Sequence, residues 1–155
     1  MKGRGLKLAG LSLIAVLVVL QFFQPERNNT PIDPEQDMLE VLAPPPPLAD
    51  LVRNACYDCH SNQTVYPWYS RISPVSWYLN KHIRKGKEDL NCSDYGLLDK
   101  ADKIGALADI CDVLDAGTMP MQSYLMIHKD ARLTQEERET LCLWTEKEAL
   151  KVMRE

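Results

Sequence analysis

The chain has 155 residues, of which 26% are charged and 7% aromatic, and its net charge at pH 7 is −4. This length suits one small folded domain rather than several. An acidic chain lacks the positive surface that nucleic-acid binding requires, so we expect no nucleic acid among its partners.

The N-terminal segment combines basic residues with an apolar run. Lys2, Arg4 and Lys7 come first, and residues 8–23 are almost entirely apolar. This pattern is typical of an export signal, and no small-residue cleavage site follows it. We expect residues 1–24 to remain as a signal anchor, a transmembrane helix that contacts the membrane. Basic residues before such a helix stay in the cytoplasm, which predicts an inner-membrane, single-pass protein with its C-terminal domain in the periplasm.

Residues 25–47 are rich in proline and are expected to form a spacer. Asp33 and Pro34 favour the start of a short helix that runs through Leu42. The run Pro44–Pro47 instead predicts an extended polyproline segment. Residues 48–155 are then expected to form the folded domain.

The folded domain carries a Cys-x-x-Cys-His pentapeptide near its start, Cys56–His60. In c-type cytochromes, haem is attached covalently to this pattern. Residues 48–59, which lead into the pentapeptide, carry apolar side chains at helical spacing. Cysteines three residues apart lie on one face of a helical turn. Cys56 and Cys59 can therefore each add to a vinyl group of one porphyrin, and His60 can ligate its iron. The motif predicts one covalent haem c.

Two other interpretations of the pentapeptide fit less well. A thioredoxin-like redox pair needs the motif at the start of a helix that leaves a βαβ sheet, and hardly any strand pattern is present. A structural zinc site needs a second close pair of ligands, whereas Cys92, Cys111 and Cys142 are isolated in the sequence. We expect Cys111 and Cys142 to be free, buried thiols, with an intramolecular disulfide as the alternative.

Further helices are predicted from capping residues and apolar periodicity. One helix is predicted to begin at Ser73-Pro74 and to end at Gly86. A second covers the amphipathic pattern over residues 97–116 and ends at Gly117. The last begins at the capping box of Thr134 and Glu137. The fold class is therefore expected to be all-α, a small cytochrome c-like helical domain behind an N-terminal membrane anchor helix.

A loop before the last predicted helix offers a second iron ligand. Met119 lies between Gly117 and Pro120, and the proline stiffens the loop that would present the thioether. We expect Met119 as the sixth ligand. His128 and His82 are the alternatives, although an isolated histidine is more often structural.

The same loop region also suits a soft copper site. Its candidate ligands are Met119, Met121, Met126 and His128, since thioethers and imidazole suit Cu(I). No symmetric methionine repeat accompanies them, so haem remains the preferred cofactor.

Aromatic residues are dense just beyond the pentapeptide. Trp68 and Trp77 are expected at the haem edge, where aromatic side chains commonly pack. Arg71 is expected either to hold a haem propionate or to lie on the surface.

Several motifs between residues 48 and 144 occur together. They are Asn54–Asn62, Tyr66–Ser70, Pro74–Trp77, Met119-Pro120 with Ser123-Tyr124 and His128, and Leu133-Thr134. With these motifs the chain resembles the bacterial haem-binding domain family of small c-type cytochromes. The resemblance implies one covalent haem in an all-α domain on a membrane-anchored periplasmic protein.

The expected function depends on the sixth coordination position. With His60 and a second protein ligand, the iron would be six-coordinate and suited to passing single electrons to an unidentified redox partner protein. An open sixth position would suit gas binding, gas sensing or peroxide reduction. Peroxide chemistry needs a distal acid–base pair, and the sequence singles out none. We therefore expect an electron carrier rather than an enzyme.

Overall fold

The computed structural model describes residues 2–27 and 30–155. Met1, Asn28 and Asn29, which belong to the predicted segments 1–24 and 25–47, lie outside the described residues. The described part contains helices and turns but no strand, so the all-α prediction is confirmed. The α-helices are α1 (Lys2–Leu20), α2 (Met38–Leu42), α3 (Pro46–Val52), α4 (Asp58–His60), α5 (Val75–Asp89), α6 (Lys100–Asp115), α7 (Gln122–Leu125) and α8 (Gln135–Arg154).

The pentapeptide ends one nearly continuous helical segment. α3 passes into a π-helical turn, Arg53–Tyr57, and then into α4, with the residues at the junctions in the right-handed helical conformation. A π-turn adds a residue to the helical register and is frequent at functional sites. The prediction of a first helix that leads into the Cys-x-x-Cys-His motif is confirmed.

The N-terminal helix α1 leaves its large apolar side chains, such as Leu11 and Ile14, exposed. It ends at Leu20, before the end of the apolar run. Among the residues that the structure describes, no helix has both the length and the apolar content needed to cross a membrane. The transmembrane anchor predicted over residues 8–23 is therefore not found.

The chain after α1 is fastened to the start of α5. Gln21 donates from Nε2 to the Ser73 carbonyl at 3.1 Å and accepts at Oε1 from the Ser73 N–H at 3.0 Å. Trp77 Nε1 donates to the Phe23 carbonyl at 2.5 Å. These contacts fix residues 21–23 against the N-terminal turn of α5.

Part of the predicted spacer lies in the hydrophobic core. Asp37 caps α2 by accepting from the Leu39 N–H at 3.0 Å, and Met38, Leu39 and Leu42 are buried. The extended polyproline prediction is wrong for Pro46 and Pro47, which begin α3 instead, because proline suits the first turn of a helix.

The C-terminal helices close the core and carry a disulfide. The Thr134–Glu137 capping box begins α8 as predicted, and α6 packs against α8. Cys111 on α6 and Cys142 on α8 have Cα atoms 4.7 Å apart and form a disulfide. The preferred expectation of two free thiols is therefore wrong, because helix packing brings the two positions within disulfide distance.

Candidate cofactor site

A cavity of about 350 Å³ opens where the pentapeptide faces α6 and α8. This volume is in the range of small-molecule and cofactor sites, roughly 300–1,000 Å³. The lining residues are Met38, Val52, Ala55, Cys56, His60, Asp89, Leu90, Cys92, Ala106, Asp109, Ile110, Asp112, Val113, Leu114, Met119, Pro120, Leu141 and Trp144. The cavity therefore brings together Cys56, His60 and Met119, while Cys59 lies outside its lining.

His60 is oriented by a backbone acceptor. Its Nδ1 lies 3.1 Å from the Leu90 carbonyl oxygen. Because a carbonyl can only accept, Nδ1 carries the proton in this contact, and Nε2 of the neutral ring keeps its lone pair. Metal-binding histidines almost always hold their second ring nitrogen in this way.

The segment that supplies this carbonyl is itself held by polar side chains. Asn91 Nδ2 donates to Asn62 Oδ1 at 3.1 Å, and the Asn62 N–H donates to Ser93 Oγ at 3.1 Å. Asn91 Oδ1 also accepts from the Ser93 N–H at 3.2 Å. The loop after the pentapeptide and the loop after α5 are therefore cross-linked through Asn62, two residues beyond His60.

The two central residues of the pentapeptide anchor it to the rest of the fold. Tyr57 Oη donates to Asp37 Oδ1 at 2.7 Å, and burial together with this hydrogen bond raises the pKa of Tyr57 above its usual range. Asp58 accepts from the Val65 N–H at 3.0 Å and from Tyr124 Oη at 2.8 Å. Asp37 and Tyr124 could not be identified from the local pattern, since they lie 20 and 66 residues away from Tyr57 and Asp58 along the chain.

The thiols near the cavity are protonated at neutral pH. Burial, followed by the neighbouring Cys59, raises the pKa of Cys56 to about 12. Burial, followed by the Asp58 carboxylate, raises the pKa of Cys59 to about 11. Burial also raises the pKa of Cys92 well above its usual value. In the protein without cofactor these groups behave as neutral, weakly polar side chains.

The loop that carries Met119 is tied to the end of α6. Gly117 has a φ of 65°, a left-handed conformation that glycine adopts without strain. The N–H groups of Thr118 and Met119 then donate to the Val113 carbonyl at 3.1 and 3.3 Å. These contacts place Met119 and the buried Pro120 at the cavity wall.

The two alternative histidine ligands lie outside the cavity lining. His128 Nε2 is hydrogen-bonded to Tyr69 Oη at 2.7 Å, and its ring stacks on Tyr124 with centroids 4.2 Å apart. His82 donates from Nδ1 to the Tyr78 carbonyl at 2.7 Å. The structure thus brings only Met119 of the three candidates into the same cavity as His60.

The aromatic and basic candidates also lie outside this cavity. Trp68 is 77% exposed, and Trp77 contacts the Phe23 carbonyl. Arg71 lines a different depression together with Tyr66 and Asn80.

Within the described ranges, one group of three potential metal ligands is close together, Cys111, Asp115 and Cys142. Its two sulfur atoms are joined in the disulfide, so they do not offer thiolates to zinc. The copper candidates are not assembled either, because Met126 is 78% exposed and His128 bonds Tyr69.

The helical fold and the apolar, histidine-bearing cavity define a haem-binding protein. The chain belongs to the haem-binding domain family, whose model matches residues 15–147. No curated protein and no solved structure matches the chain.

The side chains of the cavity suit a haem. His60 offers Nε2 to an iron, and Met119 offers a thioether from the same lining. The wall is largely apolar and includes the buried side chain of Trp144. Trp144 lies on α8 and is one of the buried residues of the hydrophobic core.

Proposed function

We propose that this protein is a mono-haem c-type cytochrome that carries single electrons. In this proposal Cys56 and Cys59 hold the porphyrin covalently, His60 is the proximal iron ligand and Met119 is the sixth ligand. When bound, haem supplies a one-electron ferric/ferrous couple. The observation that carries the proposal is the shared cavity of Cys56, His60 and Met119, with Nδ1 of His60 already committed to the Leu90 carbonyl.

The hydrogen bond to Leu90 O has two consequences for iron binding. It fixes the tautomer of His60 so that Nε2 is the free ligand atom, and it increases the basicity of that atom. Because Leu90 adjoins a loop held by Asn62 and Asn91, the His60 ring would be kept in one orientation for a bound iron. A rigid ligand set of this kind suits electron transfer.

The Met119 thioether supports the same function. A Met/His ligand pair raises the reduction potential of a haem and fills both axial positions. The backbone contacts of residues 118 and 119 with the Val113 carbonyl hold the thioether at the cavity wall. Filled axial positions exclude external ligands, which favours a carrier over gas binding or peroxide reduction.

We place the haem domain at the periplasmic face of the inner membrane, with a redox partner protein as the electron donor or acceptor. The basic residues Lys2, Arg4 and Lys7 before an apolar run support export. The Cys111–Cys142 disulfide suits an oxidising compartment. The exposed apolar side chains of α1 support attachment to the membrane through residues 8–23.

Visible spectroscopy of the purified protein tests the function. The proposal expects a low-spin spectrum in both oxidation states, a sulfur-to-iron band at long wavelength in the ferric form, and slow carbon monoxide binding in the ferrous form. Rapid carbon monoxide binding by the wild-type protein would instead establish an open sixth position, as in a gas-binding or peroxide-reducing protein.

A further inference from the structure

A carboxylate inside the pentapeptide holds two other segments of the chain. Asp58 Oδ1 accepts from the Val65 N–H at 3.0 Å, and Asp58 Oδ2 accepts from Tyr124 Oη at 2.8 Å. Val65 belongs to the loop that follows the pentapeptide, whereas Tyr124 belongs to α7. Each oxygen of the carboxylate therefore has a donor from a different segment, and the bond from Tyr124 spans 66 positions of the chain.

The helix α7 directly continues the loop that carries Met119. Two residues separate Met119 from the first residue of α7, and the Met121 carbonyl accepts from the N–H groups of Tyr124 and Leu125 at 3.0 and 3.1 Å. On the other side of the loop, the Met119 N–H donates to the Val113 carbonyl of α6 at 3.3 Å. Met119 therefore lies between two attachment points, one on α6 and one on α7.

The ring of Tyr124 is held in place by His128. The two rings are stacked, with an interplanar angle of 6° and centroids 4.2 Å apart. His128 is in turn fixed by its 2.7 Å hydrogen bond with Tyr69 Oη. The neighbouring Leu125 side chain is 3% exposed and packs α7 against the domain. These contacts direct the Tyr124 hydroxyl toward Asp58.

The hydrogen bond between Tyr124 and Asp58 is the stronger of two that fasten α7 through side chains. Its acceptor is a carboxylate, and hydrogen bonds to carboxylates are shorter and stronger than those between neutral groups. The second bond joins Ser123 Oγ to Tyr78 Oη at 3.1 Å, and it is exposed and neutral. Water can replace such an exposed bond at little cost. The contact with Asp58 therefore decides how firmly α7 is held to the pentapeptide.

We propose that Tyr124 is a positioning residue for the sixth iron ligand: its hydrogen bond to Asp58 ties the Met119 loop to the pentapeptide that supplies His60. This inference rests on the proposed function, in which His60 and Met119 ligate the iron. Tyr124 acts through the backbone of α7 and limits how often the Met119 loop moves away from the cavity wall.

Carbon monoxide binding to the ferrous full-length holoprotein tests this role. At saturating carbon monoxide the binding rate reports how often the loop opens, because the gas can reach the iron only after the thioether leaves. Tyr124→Phe keeps the ring that stacks on His128 and removes the hydroxyl alone. We expect binding at least about tenfold faster than in the wild type, since a hydrogen bond to a charged group is lost. The sulfur-to-iron band of the ferric form should weaken, while haem content and circular dichroism stay unchanged.

Tyr78→Phe is the matched control for this substitution. It also removes one tyrosine hydroxyl from a contact with α7, but from the exposed bond to Ser123. Its carbon monoxide binding rate should remain that of the wild type. A rate in Tyr78→Phe that rises as much as in Tyr124→Phe would overturn the inference, because any loss of contact with α7 would then open the loop.

A double-mutant cycle with Asp58→Ala tests whether Tyr124 acts through the carboxylate. Tyr124→Phe should have no further effect on the rate in the Asp58→Ala protein, whereas additive effects would overturn the inference. A wild-type protein with the sulfur-to-iron band and a Tyr124→Phe protein with the wild-type rate would overturn this inference alone. A wild-type protein without that band would overturn Met119 as the ligand, and the inference with it.

Discussion

Gly86 of α5 lies directly against the backbone of Cys59. A Cβ atom built on Gly86 would be 2.8 Å from the Cys59 carbonyl oxygen and 3.4 Å from its Cβ. The missing side chain allows α5 to approach the pentapeptide, because no real Cβ could occupy that space without moving the backbone. The close contact of these two residues therefore helps to set the position of the second cysteine.

Gly86→Ala should destabilise the holoprotein. The added methyl group meets backbone atoms of Cys59, which cannot rotate away. Overpacking of this kind costs about 1–3 kcal/mol. Urea unfolding followed by circular dichroism measures the loss.

Gly105→Ala, in the middle of α6, is the matched control, because nothing lies within 4 Å of the new Cβ. Better helix propensity should make that control more stable by up to about 1 kcal/mol, and equal effects of the two substitutions would show that the Cys59 contact is unimportant.

Met119→Ala should lower the reduction potential and open the iron to carbon monoxide and azide. The reason is that thioether ligation stabilises ferrous iron and fills the sixth position. Ligand titrations followed by visible spectroscopy, with potentiometry, measure both effects. Met121→Ala and Met126→Ala are the controls, since neither residue lines the cavity. If Met119→Ala behaves as they do, another residue or no protein residue fills the sixth position.

Removal of the disulfide should lower stability without loss of haem. A Cys111→Ala, Cys142→Ala double variant removes the bond that joins two residues 31 positions apart, so the chain loop between them is no longer closed in the unfolded state. A disulfide that closes a loop of this length typically contributes about 2–4 kcal/mol to the free energy of unfolding. Denaturant unfolding of the oxidised wild type and the variant gives the difference. Thiol counting on unfolded, unreduced holoprotein should find Cys92 alone, whereas three free thiols would exclude the disulfide.

The N-terminal helix should hold the protein on membranes. Full-length protein is expected to remain with the membrane fraction after a high-salt wash, because salt screens charge contacts but leaves apolar burial intact. A variant that lacks residues 2–20 but keeps the Gln21–Ser73 hydrogen bonds should be released. Fractionation and haem absorbance measure the distribution. Salt release of the full-length protein would contradict the proposed attachment.

Local sequence signals predicted the helices well where capping residues or periodicity mark them. The capping box of Thr134 and Glu137 begins α8 in the structure, and the Ser73-Pro74 signal lies immediately before α5. The glycine at position 86 predicts the end of α5 there, whereas the helix continues to Asp89. Glycine there serves the close contact with Cys59 rather than helix termination, and such a tertiary requirement is invisible in a local pattern.

The remaining features depend on contacts between distant segments. The prolines around α2 predict a spacer with a short helix through Leu42, yet Met38 is completely buried in the core. The pairing of Cys111 with Cys142 follows from the packing of α6 on α8. The acceptor of His60 is a backbone carbonyl, which every residue possesses, so no sequence pattern could identify Leu90.

Covalent attachment is the central claim, and a haem-stained denaturing gel of cysteine variants tests it most directly. Wild-type protein and Cys92→Ala should both keep haem through denaturation, because Cys92 lines the cavity but lies outside the pentapeptide. The Cys56→Ala, Cys59→Ala double variant should lose all denaturation-resistant haem, since it has no thioether. Denaturation-resistant haem in that double variant, or its absence from the wild-type protein, would contradict the account.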